Sequence, residues 1–146
     1  MKMTTLRRAL ASFLLGAAVL LGTANAQSGF VVIVNAANPA ISLSAAELSR
    51  LFLKKTLSWP GGLAVAAVDQ QRTSSVRRAF SHEVHGKDPD TIVSHWQTMV
   101  LSGRDTPPPV RASDAAVLEF VRTNPGAIGY VSEGADVAGV KLVTIR

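Results

Sequence analysis

Ala64–Phe80, AVAAVDQQRTSSVRRAF, decides how this chain folds. Ala64 to Val68 reads as a buried strand, Asp69 to Thr73 as a polar turn, and Ser74 onward as a helix. The helix shows an apolar face that repeats at Val76, Ala79, Phe80 and Val84. A strand, a turn and a helix in that order leave the backbone N–H groups of Ser74, Ser75 and Val76 without intrahelical acceptors, at the positive end of the helix dipole. Such a start holds anions readily. It is also the ordinary way in which serine caps a helix with no ligand involved. Arg72 and Arg77 flank the turn and offer charge and a planar fork suited to phosphate or carboxylate oxygens. Arg77 and Arg78 fall off the apolar stripe, near the helix start, where a cation opposes the dipole by about 0.3–1 kcal/mol. A bound anion would reverse that cost, so the pattern favours anion contact, Arg77 ahead of Arg78.

Outward from this stretch, helical and strand patterns alternate. Upstream, FVVIVN (Phe30–Asn35) is a continuous β-branched run that predicts a strand covered on both faces. Ala36 to Ser42 is a loop around Asn38-Pro39. Leu43-Ser44-Ala45-Ala46-Glu47-Leu48 combines a capping box with a hydrophobic staple, and Leu48, Leu51 and Phe52 should face the core. The helix is expected to end through Lys54-Lys55, and Trp59-Pro60-Gly61-Gly62 to turn, with Trp59 packed in the core. Downstream, Gly86 suits a C-cap, and Asp88-Pro89-Asp90 opens a third helix with Ile92, Val93, Trp96, Met99 and Val100 on one stripe. Arg104 to Arg111, with three successive prolines, must be extended and reads as a surface strap. Ser113 caps a fourth helix, with Val117, Leu118 and Val121 inward. Ala127–Val131 and Val140–Ile145 are further strands, and Gly126 and Gly129 imply a tight turn and close backbone approach. Strands interleaved with helices predict an α/β sandwich around a small sheet.

The ends and the bulk composition bound the function. Lys2, Arg7 and Arg8, the apolar run Ala9–Gly22 and Ala24-Asn25-Ala26 have the form of a cleavable signal peptide over residues 1–26. At about 14 residues the run is short of the roughly 20 a bilayer span needs. The expectation is an exported protein, not membrane-spanning after cleavage, with one domain over residues 27–146. The chain has no cysteine, which excludes a lipid anchor at that position, disulfides and thiolate chemistry. Of the net charge of +5, three basic residues belong to the leader, leaving twelve basic against ten acidic and a net of +2. The basic residues are dispersed and aromatics few, which sets nucleic acid aside.

Catalysis and metal binding find little support. His82, Glu83 and His85 lack the spacing of a zincin and a third ligand, so no metal is expected. Ser74 and His82 lie eight residues apart on one predicted helix, about 12 Å of axial rise, too far for a nucleophile and its base. No Gly-x-Ser-x-Gly elbow occurs. The expected protein is not an enzyme and carries no cofactor.

Three stretches together, Phe30–Gly62, VDQQRTSSVRRAF (Val68–Phe80) and HWQTMVLSGRDTPP (His95–Pro108) followed by NPGAIGYV (Asn124–Val131), resemble the phosphate-type periplasmic substrate-binding proteins of ABC transporters. The likeness is greater to the short, single-domain, exported members described as phosphate-binding-protein-like, and it covers Phe30 to Ser132. It implies a single lobe of a type 2 periplasmic binding protein, α/β in class, with a small mixed sheet flanked by helices. In the full-length family, two lobes hold phosphate through backbone N–H groups, hydroxyls, an arginine and an acidic residue. One lobe contributes a Ser-Gly-Thr turn at a helix start. Ser74 matches that serine, while Ser75 stands where glycine is expected and Val76 where threonine is. Arg77 and Phe80 fit the Ser-x-x-Arg-x-x-Phe pattern of the short relatives, and Arg72 lies near, though not at, the position of the family arginine.

The resemblance implies a ligand set of Arg72, Ser74, Ser75, Val76 and Arg77. Its ligand would be inorganic phosphate or a related oxyanion, and its partner an ABC transporter or another periplasmic or membrane protein. The family's first-lobe segment, with its own phosphate-binding turn, has no counterpart here, so binding is expected to be weak or dependent on a dimer. Val76 removes a hydroxyl worth about 1 kcal/mol to a neutral partner. The alternative is an adaptor domain that keeps the fold and has lost the ligand. Arg72 and Arg77 converging on the Ser74–Val76 amides, with no acidic neighbour filling the space, would favour binding; Asp69 or another carboxylate occupying that space would mark the motif as structural.

Overall fold

The computed structural model describes residues 29–146, so the signal-peptide expectation for residues 1–26 lies outside the described residues. In chain order the elements are β1 (Phe30–Asn35), β2 (Ser42–Leu43), α1 (Ala45–Phe52), β3 (Ala66–Ala67), β4 (Asp69–Gln70) and α2 (Ser75–Phe80). A π-helical turn (Ser81–His85) continues α2, and α3 (Pro89–Leu101), β5 (Val110–Arg111), α4 (Asp114–Thr123), β6 (Ala127–Ser132) and β7 (Val140–Ile145) follow. Among the described residues no helix is long and apolar enough to cross a membrane.

β1 is the centre of a five-stranded sheet ordered β2–β7–β1–β6–β3. It pairs antiparallel with β6 and β7, while β2 joins β7 and β3 joins β6 in parallel, which makes the sheet mixed. The β-branched run of β1 fits this central place, since side chains alternate between two apolar layers. Phe30, Val32 and Val34 join Leu48, Leu51, Phe52, Phe80 and Tyr130 on one face. Ile33 joins Val68, Val117, Leu118, Val121 and Val131 on the other. The fold is thus an α/β domain, a small mixed sheet with helices on both faces.

Local signals explain the helix boundaries. Ser44 Oγ accepts from Glu47 N at 3.2 Å and Glu47 Oε2 accepts from Ser44 N at 2.7 Å, closing the capping box. α1 ends in a Schellman pattern, with Lys55 N to Arg50 O at 2.8 Å and Lys54 at φ 54°. Trp59 is buried, and its indole N–H donates to Gly126 O at 2.9 Å. Gly126 is required there, because a Cβ would lie 1.9 Å from Ala64 O. At Gly129 a Cβ would meet Val68 and Val117 methyls at 2.8 and 2.9 Å, where β6 packs against α4.

Four local expectations are revised. The predicted strand at 64–68 is confined in the sheet to Ala66–Ala67, with Ala64 in an isolated bridge to Ser58. Asp69 and Gln70, read as a turn, form β4, which pairs in parallel with β5 inside the proline strap. Their polar side chains are buried by polar partners, which hydrophobic patterning does not register. Ser42–Leu43, read as the end of a loop and a staple, is also an edge strand. On α3 only the N-terminal part of the stripe is buried, at Ile92 and Trp96, while Val100 and Leu101 are exposed beside Pro107 and Val110.

Candidate functional site

The turn that joins β4 to α2 departs at Ser74 from the expectation of three free N–H groups, because the Ser74 amide is taken up within the turn itself. Ser74 N donates to Gln71 O at 2.9 Å, and Ser74 is the N-cap of α2, with φ −65° and ψ 133°. Its Oγ accepts from Arg77 N at 3.3 Å, and its carbonyl accepts from Arg78 N at 3.1 Å. The backbone amides of Ser75 and Val76, at the first and second helical positions, therefore have no intrahelical acceptor. Ser74 Oγ also donates to Gln70 Oε1 at 3.3 Å.

Arg77 lies beneath this turn, and its placement corrects the expectation that it sits off the apolar face. It is 6% exposed. One guanidinium nitrogen donates to Gln70 O at 2.6 Å, and the other is 3.1 Å from Asp69 Oδ2. Asp69 Oδ1 accepts from the Tyr130 hydroxyl and from Gln70 N at 3.0 Å. The Tyr130 ring is fixed by stacking on Phe80, with centroids 3.9 Å apart and planes at 5°, and by tilted contact with Phe52. Burial pushes the Asp69 pKa up, against the pull of Arg77, Tyr130 and Gln70 toward the ionised form. Burial also raises the Tyr130 pKa, with the Asp69 carboxylate adding to the shift, so the phenol stays protonated and donates. Gln70 completes the network, its amide nitrogen donating to Asp114 Oδ1 at 2.8 Å and to Tyr130 O at 3.1 Å. Partial burial alone would raise the Asp114 pKa, but hydrogen bonds from Ser132 and Gln70 outweigh it and hold that carboxyl below its ordinary value.

The structure brings Ser74, Ser75, Val76 and Arg77 together within one turn and leaves Arg72 outside. The Arg72 guanidinium is 3.5 Å from Asp90, and both side chains are largely exposed. A surface pair of this kind contributes about 0–1 kcal/mol. Sequence reasoning weighed Asp69 and missed Gln70, Tyr130 and Asp114. One signal was available, because the single tyrosine of the chain sits in the apolar run AIGYV, and a buried phenol needs a partner for its hydroxyl. His82 pairs with Asp88 at 2.9 Å, and His85 Nδ1 lies 2.8 Å from Ser49 Oγ. Among the described residues no group of three His, Cys, Asp or Glu side chains could hold a metal ion.

No protein-family model matches the chain, and no curated protein matches it. Solved structures do match its fold. A protein described as a phosphate ABC transporter substrate-binding protein, with bound phosphate, from Clostridium perfringens superimposes at TM-score 0.62 and 20% identity, over 80% of this chain and 44% of that one. An ABC-type phosphate transport receptor from Vibrio cholerae gives TM-score 0.60 and 21% identity, over 79% of this chain and 45% of that one. PstS from Borrelia burgdorferi gives 0.57 and 12%, over 81% and 47%. The chain therefore has the fold of a phosphate-type substrate-binding protein and spans less than half the length of each.

Proposed function

We propose that this chain is an exported, non-catalytic substrate-binding-protein-like domain that contacts phosphate or a related oxyanion at the Ser74–Val76 turn, in ABC-type uptake or sensing. The observation that carries this reading is the helix start itself. In a fold shared with phosphate-binding proteins, the Ser75 and Val76 amides lack intrahelical acceptors at the position where the resemblance locates a ligand-binding turn. Ser75 and Val76 supply the free N–H donors; Ser74, whose N–H and hydroxyl already donate to Gln71 and Gln70, caps the helix beside them, Arg77 supports the turn from below, and Arg72 stands outside it, paired with Asp90. Asp69 and Asp114 lie close to the turn and oppose a dianion. Affinity should therefore be weak unless a second chain closes over the site.

One observation favours the adaptor alternative. Arg77 is already satisfied by Asp69 and Gln70, which is the arrangement expected of a structural motif. In that reading the domain docks on a membrane complex or another exported protein and holds no ligand.

Calorimetric titration of the purified protein with inorganic phosphate at low ionic strength separates the two. Ser75→Pro is the informative variant: proline suits the first helical position, Ser74 already has the extended backbone that must precede it, and the Ser75 N–H and hydroxyl are lost while the helix start is kept. Saturable binding that weakens in Ser75→Pro supports the turn as the site. No binding at millimolar phosphate sinks the phosphate reading.

A further inference from the structure

The cleft between α1 and α3, walled by the end of the π-helical turn, belongs to neither reading of the Ser74 turn. It has a volume of about 260 Å³ and is lined by Ser49, Lys55, His85, Lys87, Thr91 and His95, with Leu53 and Ile92 as its apolar members. Two lysines, two histidines and two hydroxyls form a donor-rich wall. Of the carboxylates on the surrounding elements, Asp88 bonds His82 at 2.9 Å, Asp90 lies 3.5 Å from Arg72, Asp105 lies 3.4 Å from Lys54 and Glu47 is bound in its capping box, while Glu83 lines a different pocket, beside β1 and β7. Among the described residues neither Lys55 nor Lys87 makes an ion pair.

A second observation concerns polar satisfaction. His95 lines the cleft, but its Nε2 is buried beneath the surface with no hydrogen-bond partner, a costly state that a turn of the ring toward an anion in the cleft would relieve. His85 is held in place by Ser49 Oγ at 2.8 Å and by an edge-on contact with Phe80.

We propose that this cleft is an anion site, distinct from the Ser74 turn, that takes a compact multivalent oxyanion, either inorganic phosphate or a small polycarboxylate. Lys55 and Lys87 supply charge, and Thr91 a hydroxyl donor. Burial lowers the His85 pKa to about 4, and the positive charges of Arg77, His95 and Lys87 add to the shift. An anion in the cleft offsets that positive field, so the His85 pKa rises when the site is filled.

Calorimetry of the full protein at neutral pH and low ionic strength, with inorganic phosphate and with citrate in separate titrations, tests the assignment. The preferred probe tells an inorganic oxyanion from a carboxylate ligand. Saturable binding of at least one is expected, with a component weakened about tenfold in the Lys55→Gln/Lys87→Gln double variant, which changes only exposed side chains; that component, unlike any at the Ser74 turn, is unchanged in Ser75→Pro. The NMR titration of His85 should move upward in the presence of the bound probe. The proposal is overturned if neither probe saturates at millimolar concentration, if the double variant binds as well as the parent, or if the His85 pKa is the same with and without the probe.

Discussion

The Arg77 guanidinium is 3.1 Å from the Asp69 carboxylate, and neither side chain is more than 8% exposed. An arginine at a helix start, where the sequence suggests a hand extended to ligand, is turned inward to join α2 to β4. Removing one partner of such a pair strands the other charge in a dry environment. Arg77→Met or Asp69→Leu alone should lower stability by about 3–5 kcal/mol, and the double replacement should cost much less than the sum. Urea unfolding of the three variants measures this, and additive losses would mean that the pair is not coupled.

Tyr130→Phe keeps the ring stacked on Phe80 and deletes one donor to Asp69. The expected loss is about 1–3 kcal/mol, because a buried carboxylate oxygen loses a partner. A variant as stable as the parent would show that the Gln70 amide and Arg77 satisfy Asp69 by themselves.

His85 makes stability depend on pH. Its folded pKa, about 4, lies below the ordinary histidine value of 6.5, so the folded state binds its proton less readily than the unfolded chain. The stabilising contribution is complete above pH 6.5 and is lost as pH falls toward 4, by up to about 3 kcal/mol. Unfolding free energies between pH 7 and 5 should fall in the parent protein and stay flatter in His85→Gln. Equal slopes would refute the assignment.

Two glycines should rank by what stands against them. Gly126→Ala puts a methyl into the Ala64 carbonyl, which cannot yield without opening the junction of β3 and β6; Gly129→Ala presses on valine methyls that can shift. Gly129→Ala should cost about 1–3 kcal/mol and Gly126→Ala more, with thermal melting as the readout.

Much of the fold is legible because its signals are local. The FVVIVN strand, the Ser44–Glu47 capping box, the Asp88-Pro89 start of α3 and the Ser113 cap of α4 each announce themselves within a few residues. The buried polar network is not local. Asp69 meets Tyr130 across 61 positions, and Gln70 meets Asp114 across 44. Helical spacing was a poor guide to Arg77 as well, since its long side chain reaches the interior from a position that the apolar stripe leaves out. The β4–β5 pairing was invisible because each strand has two residues, one polar and one next to a run of prolines.

That short pairing has a mechanical consequence. Asp69 N donates to Pro109 O at 2.9 Å, so the carboxylate that anchors Arg77 hangs from the same backbone rung as the proline strap. The strap runs beside the exposed Val100 and Leu101, on the outer side of the molecule. A sideways pull on this rim is therefore felt first at Asp69, then at Arg77, and last at the amides of the Ser74 turn, as a tug on one guy-rope slackens the pole it steadies.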